Sequence, residues 1–109
     1  MNSKNINYEE MKLSEVYRTT INNLVCFCIV FSMNDVNMEK IVMPSKFNYS
    51  GIIDMLVRIK YPEDKMQAII NNYLLDSTDT DVLTEFTEMQ NYRKECKTFA
   101  KKILAYHVK

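Results

Sequence analysis

Three cysteines, a single histidine and a few acid pairs are the residues in this 109-residue chain whose types could do chemistry. Cys26 and Cys28 stand two apart inside the apolar run Leu24-Val25-Cys26-Phe27-Cys28-Ile29-Val30-Phe31, so on a strand they share one face. With Cys96 and His107 they make four zinc-type donors on paper. These ligands fall in strand and helix patterns, not in knuckle loops, so buried reduced thiols are the expectation and no metal site is assigned. The acid pairs are Glu63–Asp64 and Asp79/Asp81. Catalytic carboxylates need burial or a charged neighbour to move their proton affinity. These acids sit at helix starts, where capping already occupies them. A nucleophilic triad would have to recruit His107, two residues from the last. One glycine, Gly51, cannot build a Gly-rich phosphate loop. The expectation is a protein that is not an enzyme, with no cofactor and no small-molecule substrate.

Charge is the strongest remaining signal. Residues 62–90 carry seven acids and one base, Lys65, whereas residues 91–109 carry six bases and one acid, Glu95. The formal net charge is nonetheless zero. A long last helix that opens in acids and closes in lysines suits its own macrodipole. Arg93, Lys97 and Lys101 form one i, i+4 row with Lys94 and Lys102 beside it, which makes a basic flank. Such a row can neutralise phosphates, although six bases on a neutral chain is a thin footprint for nucleic acid. An acidic protein partner, including another copy of the chain, is the other candidate. Asn71-Asn72 in the middle helix is costly by propensity and either caps backbone or meets a partner.

The elements that would position these groups follow from composition and period. Residues 1–11 are polar and read as a loose arm. Val16, Tyr17, Thr19, Thr20 and Ile21 are β-branched or aromatic. Asn22-Asn23 suits a two-residue turn, which sets Ile21 opposite Leu24, Thr19 opposite Cys26 and Tyr17 opposite Cys28. A single helix over 15–33 is the rival, because the same residues also fit a helical stripe. The absence of alanine and the weight of β-branched residues favour strands. Asn34–Asn37 reads as a second turn, and Met38–Met43 as a short strand stopped by Pro44.

The rest reads as helix. Tyr49, Ile52, Ile53, Leu56 and Val57 make an apolar face, which Asn48 or Ser50 can cap. Gly51 in the first turn marks low entropic cost or a close neighbour. Pro62 suits the first position of a second helix, with Met66, Ile69, Ile70, Tyr73 and Leu74 as its stripe. Thr78 with Asp81 resembles a capping box for a third helix from about Thr80 to Tyr106. Val82, Met89, Cys96 and Ile103 recur every seven residues, and Tyr92, Phe99 and Tyr106 form a second row. That short seam favours packing on the preceding helices.

The chain's length fits one domain: 1–11 an arm, 12–43 a β-meander, 48–107 three helices. The eight-residue apolar run is too short to span a bilayer, which needs about 20 residues. Acids before that run argue against a signal peptide, and an odd cysteine count argues against a disulfide scaffold. A cytoplasmic location is the expectation.

The stretch Tyr49-Ser50-Gly51-Ile52-Ile53 through Val57-Arg58-Ile59-Lys60-Tyr61, then Met66 to Leu74, and Met89-Gln90-Asn91-Tyr92-Arg93-Lys94, resembles a set of small uncharacterised proteins of gut bacteria, their phages and integrated elements. The resemblance covers about half the chain. It implies a small accessory protein of a phage or mobile element, and no functional residues carry over from it.

The fold class expected is α+β: a two- or three-stranded antiparallel meander with three helices packed on one face of it. The expected core is Val25, Phe27 or Cys28, Ile29, Ile53, Leu56, Val57, Ile69, Ile70, Leu74, Phe86, Met89, Cys96 and Ile103. Such a sheet leaves two edges and one uncovered face, and dimerisation through an edge or the last helix would relieve that exposure. The function expected is a non-enzymatic protein–protein interaction or assembly module, homo-oligomeric, with no membrane association. The alternative is a nucleic-acid-binding accessory factor that uses Arg93, Lys94, Lys97, Lys101 and Lys102.

Overall fold

The β-rich third of the chain folds as three antiparallel strands, and the computed structural model describes residues 10–106. Strand β1 spans Met11–Ile21, β2 Leu24–Met33 and β3 Val36–Val42, in the spatial order β1-β2-β3. A single-turn 3₁₀ segment, Pro44–Lys46, leads into helices α1 (Tyr49–Lys60), α2 (Glu63–Leu75) and α3 (Thr80–Ala105). The fold is α+β, strands first and helices after. The rival single helix over 15–33 is excluded.

Both hairpins close on two residues in left-handed backbone: Asn22 and Asn23 at φ 52° and 66°, Asn34 and Asp35 at 52° and 67°. That geometry matches the twist of the flanking strands, and Asn and Asp tolerate it better than other non-glycine residues. The first turn fixes the pairs Ile21–Leu24, Thr19–Cys26 and Tyr17–Cys28, as its sequence predicts. The second turn is tighter than the sequence suggests, so β3 begins at Val36. Glu10 and Met11, read as the end of an arm, belong to the sheet region instead. Met11 opens β1, and the Glu10 N–H donates to Asn34 Oδ1 at 2.9 Å. The remainder of the expected arm and His107 lie outside the described residues.

Side chains alternate between the two sheet faces, but a bulge in β1 between Leu13 and Glu15 inserts one residue. Leu13 and Val16 therefore face the same way, together with Met11. Their side of the sheet, with Ile29, Phe31, Met33 and Val42, meets the helices and forms the core. Helix α1 contributes Ile52, Leu56 and Val57, and α3 contributes Met89, Tyr92, Cys96, Phe99, Ala100 and Ile103. The seven-residue rows of α3 are thus consumed inside the monomer. Phe31 and Phe99 meet with ring centres 5.7 Å apart, which ties sheet to helix. Helix α2 rests chiefly on α3, not on the sheet. Its Tyr73 stacks on Phe86 at 3.9 Å, and Ile69 is its one buried residue.

The caps depart from the sequence reading in two places. Asn48 caps α1 by accepting from Gly51 N–H at 2.8 Å, as expected. Pro62 is the cap residue of α2, one position before the helix. Asp79, not Thr78, caps α3, accepting from the N–H groups of Asp81 and Val82. Two expected core residues are exposed instead. Val25 is 52% exposed because the β1–β2 hairpin outruns the helices, and Leu74 is 74% exposed at the end of α2. The molecule measures 51 × 29 × 20 Å with a radius of gyration of 16.1 Å. A compact chain of this length has about 13 Å, so a good part of its apolar surface lies away from the centre.

Candidate interaction surface

Among the described residues, the helices cover one face of the sheet and no element is packed on the other. The pairing registers place Tyr17, Thr19 and Ile21 of β1 on the open side, with Leu24, Cys26, Cys28 and Val30 of β2 and Glu39 and Ile41 of β3. Met43 follows just past β3. Central β2 is therefore apolar on both sides. Ile21, Leu24, Ile41 and Met43 are 42–55% exposed, and they surround two thiols that are almost fully covered. Cys26 Sγ lies 3.8 Å from Met43 Sδ, and Cys28 Sγ 3.8 Å from Glu39 Oε2. The Tyr17 phenol is pushed up to about 12, first by its hydrogen bond with Cys28 and next by charge on that thiol, then by partial burial, Glu39 and Glu15.

The groups that sequence reasoning singled out for chemistry do not converge. Cys26 and Cys28 sit on the open side of the sheet, whereas Cys96 lies in the core on the other side; all three are buried and outside any disulfide. Glu63 pairs with Arg58 at 2.9 Å, in a bridge that also includes Asp54 and joins α1 to α2. Asp54 first and Glu63 next hold the Arg58 guanidinium above its ordinary proton affinity. Asp64 accepts from Lys65 N–H, and Asp79 is a cap. Asn71 and Asn72 are exposed. No group of three His, Cys, Asp or Glu side chains among the described residues is placed to hold a metal ion.

The basic residues of α3 divide between two adjacent rows. Arg93 is half-buried and donates to Gln90 Oε1 at 3.3 Å, while Lys97 and Lys101 in its row are exposed. Lys94, Thr98 and Lys102 form the next row and line a shallow groove of about 350 Å³ with Met11, Glu95 and Phe99. An acid and two apolar residues thus interrupt the basic character where the surface is concave.

The open sheet face is the surface that sequence reading did not locate. The available signal was that both alternating sets of β2, Leu24/Cys26/Cys28/Val30 and Phe27/Ile29/Phe31/Met33, are apolar. A strand with one solvated face alternates apolar with polar instead. A second, smaller apolar exposure lies at the far end, where Leu74, Leu75 and Leu83 are 74%, 85% and 45% exposed. No helix among the described residues is long and apolar enough to cross a membrane. The chain matches no protein-family model, no curated protein and no solved structure.

Proposed function

We propose that this protein is a non-enzymatic protein–protein interaction or assembly module whose contact surface is the open face of its sheet. The observation that carries the reading is the set of Ile21, Leu24, Ile41 and Met43, exposed on one face of the three-stranded sheet around Cys26 and Cys28. Contiguous apolar exposure of this kind marks a surface that another body covers. Three cysteines outside any disulfide fit a reducing, cytoplasmic setting. An accessory role in a phage or mobile element is the context that the resemblance of the helical half suggests.

The test is the double variant Leu24→Glu/Ile41→Glu, compared with the wild type in solution mass and in affinity capture. Both residues are already half exposed, so the fold should survive, as judged by the unfolding midpoint. Association present in the wild type should vanish. Identical behaviour of the two proteins in both assays removes the reading.

A second reading rests on the exposed lysines of α3. Lys94, Lys97, Lys101 and Lys102 with Arg93 would bind nucleic acid through its phosphates, with affinity falling steeply as salt rises. Retention of DNA or RNA at low salt, lost in Lys97→Glu/Lys101→Glu, would support it. The interruption by Glu95 and the engagement of Arg93 with Gln90 make it the weaker of the two.

A further inference from the structure

We propose that the open sheet face is covered by a second copy of this chain, stacked sheet to sheet about a twofold axis that crosses the strands at Cys26. The proposal rests on the reading above that this face is a contact surface. What selects the partner is the way the face changes along the strands. Three successive rungs are uncharged: Ile21–Leu24, then Thr19–Cys26 with Met43 beside it, then Tyr17–Cys28–Ile41. The next rung carries Glu15 and Glu39 on either side of Val30. At the opposite end stands the exposed Asn22–Asn23 turn.

Two such faces can stack about a twofold axis in the plane between them in two ways. With the axis along the strands, every rung meets its own copy. Four carboxylates, Glu15 and Glu39 from each chain, then share one desolvated seam, which is unfavourable for like charges. With the axis across the strands, the rungs exchange. Centred on the Cys26 rung, it lays Leu24 of one copy over the Ile41 rung of the other. It also carries each Asn22–Asn23 turn over the other copy's Glu15, with Glu39 on β3 beside it at the rim and no longer opposite another carboxylate. Apolar rungs then meet apolar rungs, and amide donors meet carboxylate acceptors. The face is complementary to itself, as a twofold interface must be.

Size fixes the strength. Rungs two residues apart are spaced about 6.8 Å and strands about 4.8 Å, so the overlap covers about 400–500 Å² per copy. The total of about 900 Å² lies below the roughly 1,600 Å² of a standard interface and near the lower bound for a specific one. The dimer is therefore weak and concentration-dependent.

Sedimentation equilibrium of the full chain between about 1 and 300 μM spans the range in which such a dimer dissociates. The expected result is a reversible monomer–dimer equilibrium. Because symmetry places each substitution in the interface twice, Ile41→Glu should raise the dissociation constant at least ~100-fold. Leu75→Glu, on the exposed end of α2, should leave it unchanged. Glu15→Gln/Glu39→Gln should leave or weaken pairing, and marked strengthening would mean that the carboxylates face each other and would overturn the proposed axis. A dimer indifferent to Ile41→Glu would place the contact at a strand edge or on the helices and overturn the proposal. A wild-type chain that is monomeric throughout would overturn self-pairing alone, since the interaction reading is decided separately by the capture arm of the Leu24→Glu/Ile41→Glu comparison.

Discussion

The Tyr92 hydroxyl of α3 donates to the Leu56 carbonyl of α1 at 2.6 Å, in a buried setting. It ties together the two helices that lie on the sheet. The Tyr92 ring also packs against Tyr61, and Lys60 Nζ lies 5.4 Å from the ring centre. Tyr92→Phe keeps the ring and removes the tie. A buried neutral hydrogen bond contributes about 1 kcal/mol net, so the unfolding midpoint should fall by about 4–8 °C. Tyr92→Ala should cost about 3–5 kcal/mol, because it leaves a cavity as well. Thermal unfolding of both variants checks the order.

Gly51 reverses the usual helix rule. Replacing a helical glycine by alanine ordinarily gains up to about 1 kcal/mol. Here a Cβ on residue 51 would run into the Lys46 carbonyl oxygen, which is backbone and cannot swing aside. The 3₁₀ segment before α1 is packed onto that glycine. Gly51→Ala should therefore destabilise the protein by at least ~2 kcal/mol through overpacking. A chemical-denaturation midpoint equal to or above the wild type would show that the segment can move.

Sequence was informative where one local rule decided the outcome. Asn22 and Asn23 announced a tight turn, and the turn set the register of the first hairpin. The seven-residue rows of α3 correctly marked Met89, Cys96, Ile103, Tyr92 and Phe99 as packed. Ser14 carried no such mark. It is the extra residue of a bulge, and it reverses the alternation of β1. Its effect is confined to Met11 and Leu13, which it brings onto the face of Val16. Val16, Phe31, Met33 and Val42 share the Ile29 face through the unbroken register from the turns, and were missing from the expected core because the sequence left open which face of β2 is covered. Val25 and Leu74 were misplaced for a different reason: each suits burial by type, but helix and hairpin lengths leave nothing opposite them. The open sheet face was half legible. An uncovered face follows from three strands with helices on one side. Its location needed the register, and its self-complementarity needed the positions of Glu15 and Glu39 relative to the Asn22–Asn23 turn.

Tyr17 gives a pH signature. Its proton is held up to about 12 in the fold, against an ordinary value of 10.0, chiefly by the hydrogen bond with Cys28. Below pH 10 the phenol is protonated in both folded and unfolded chains, and its contribution to stability is complete. Between 10 and 12 the unfolded chain releases the proton while the folded one keeps it. Stability from this group is thus lost as pH rises through the folded value. Ultraviolet titration of the folded protein should show one phenolate forming near 12. Cys28→Ala should bring that step down towards 10, and no movement of it would rule out Cys28 as the cause.

The three thiols should react at two different speeds. Each is almost fully covered, at 3%, 1% and 0% exposure for Cys26, Cys28 and Cys96, so static exposure alone predicts three slow reactions. What covers them differs. Cys26 and Cys28 are shielded by side chains on the open sheet face, among them Met43 and Glu39, which rotate without any backbone change. Cys96 lies between α3 and the rest of the core, so a reagent reaches it only when the helices separate. Side-chain rotation is fast, whereas opening of a packed core has a free energy approaching that of global unfolding. Mass spectrometry of alkylation under native, dilute conditions should therefore show two labels added early and the third added only at the rate of unfolding. Mild denaturant should accelerate the third label far more than the first two. At high concentration, the paired sheets should slow the first two labels as well, with Cys96 unchanged. Early labelling of Cys96 would mean that the helical layer opens independently of the sheet, contrary to the shared core that joins Phe31 to Phe99.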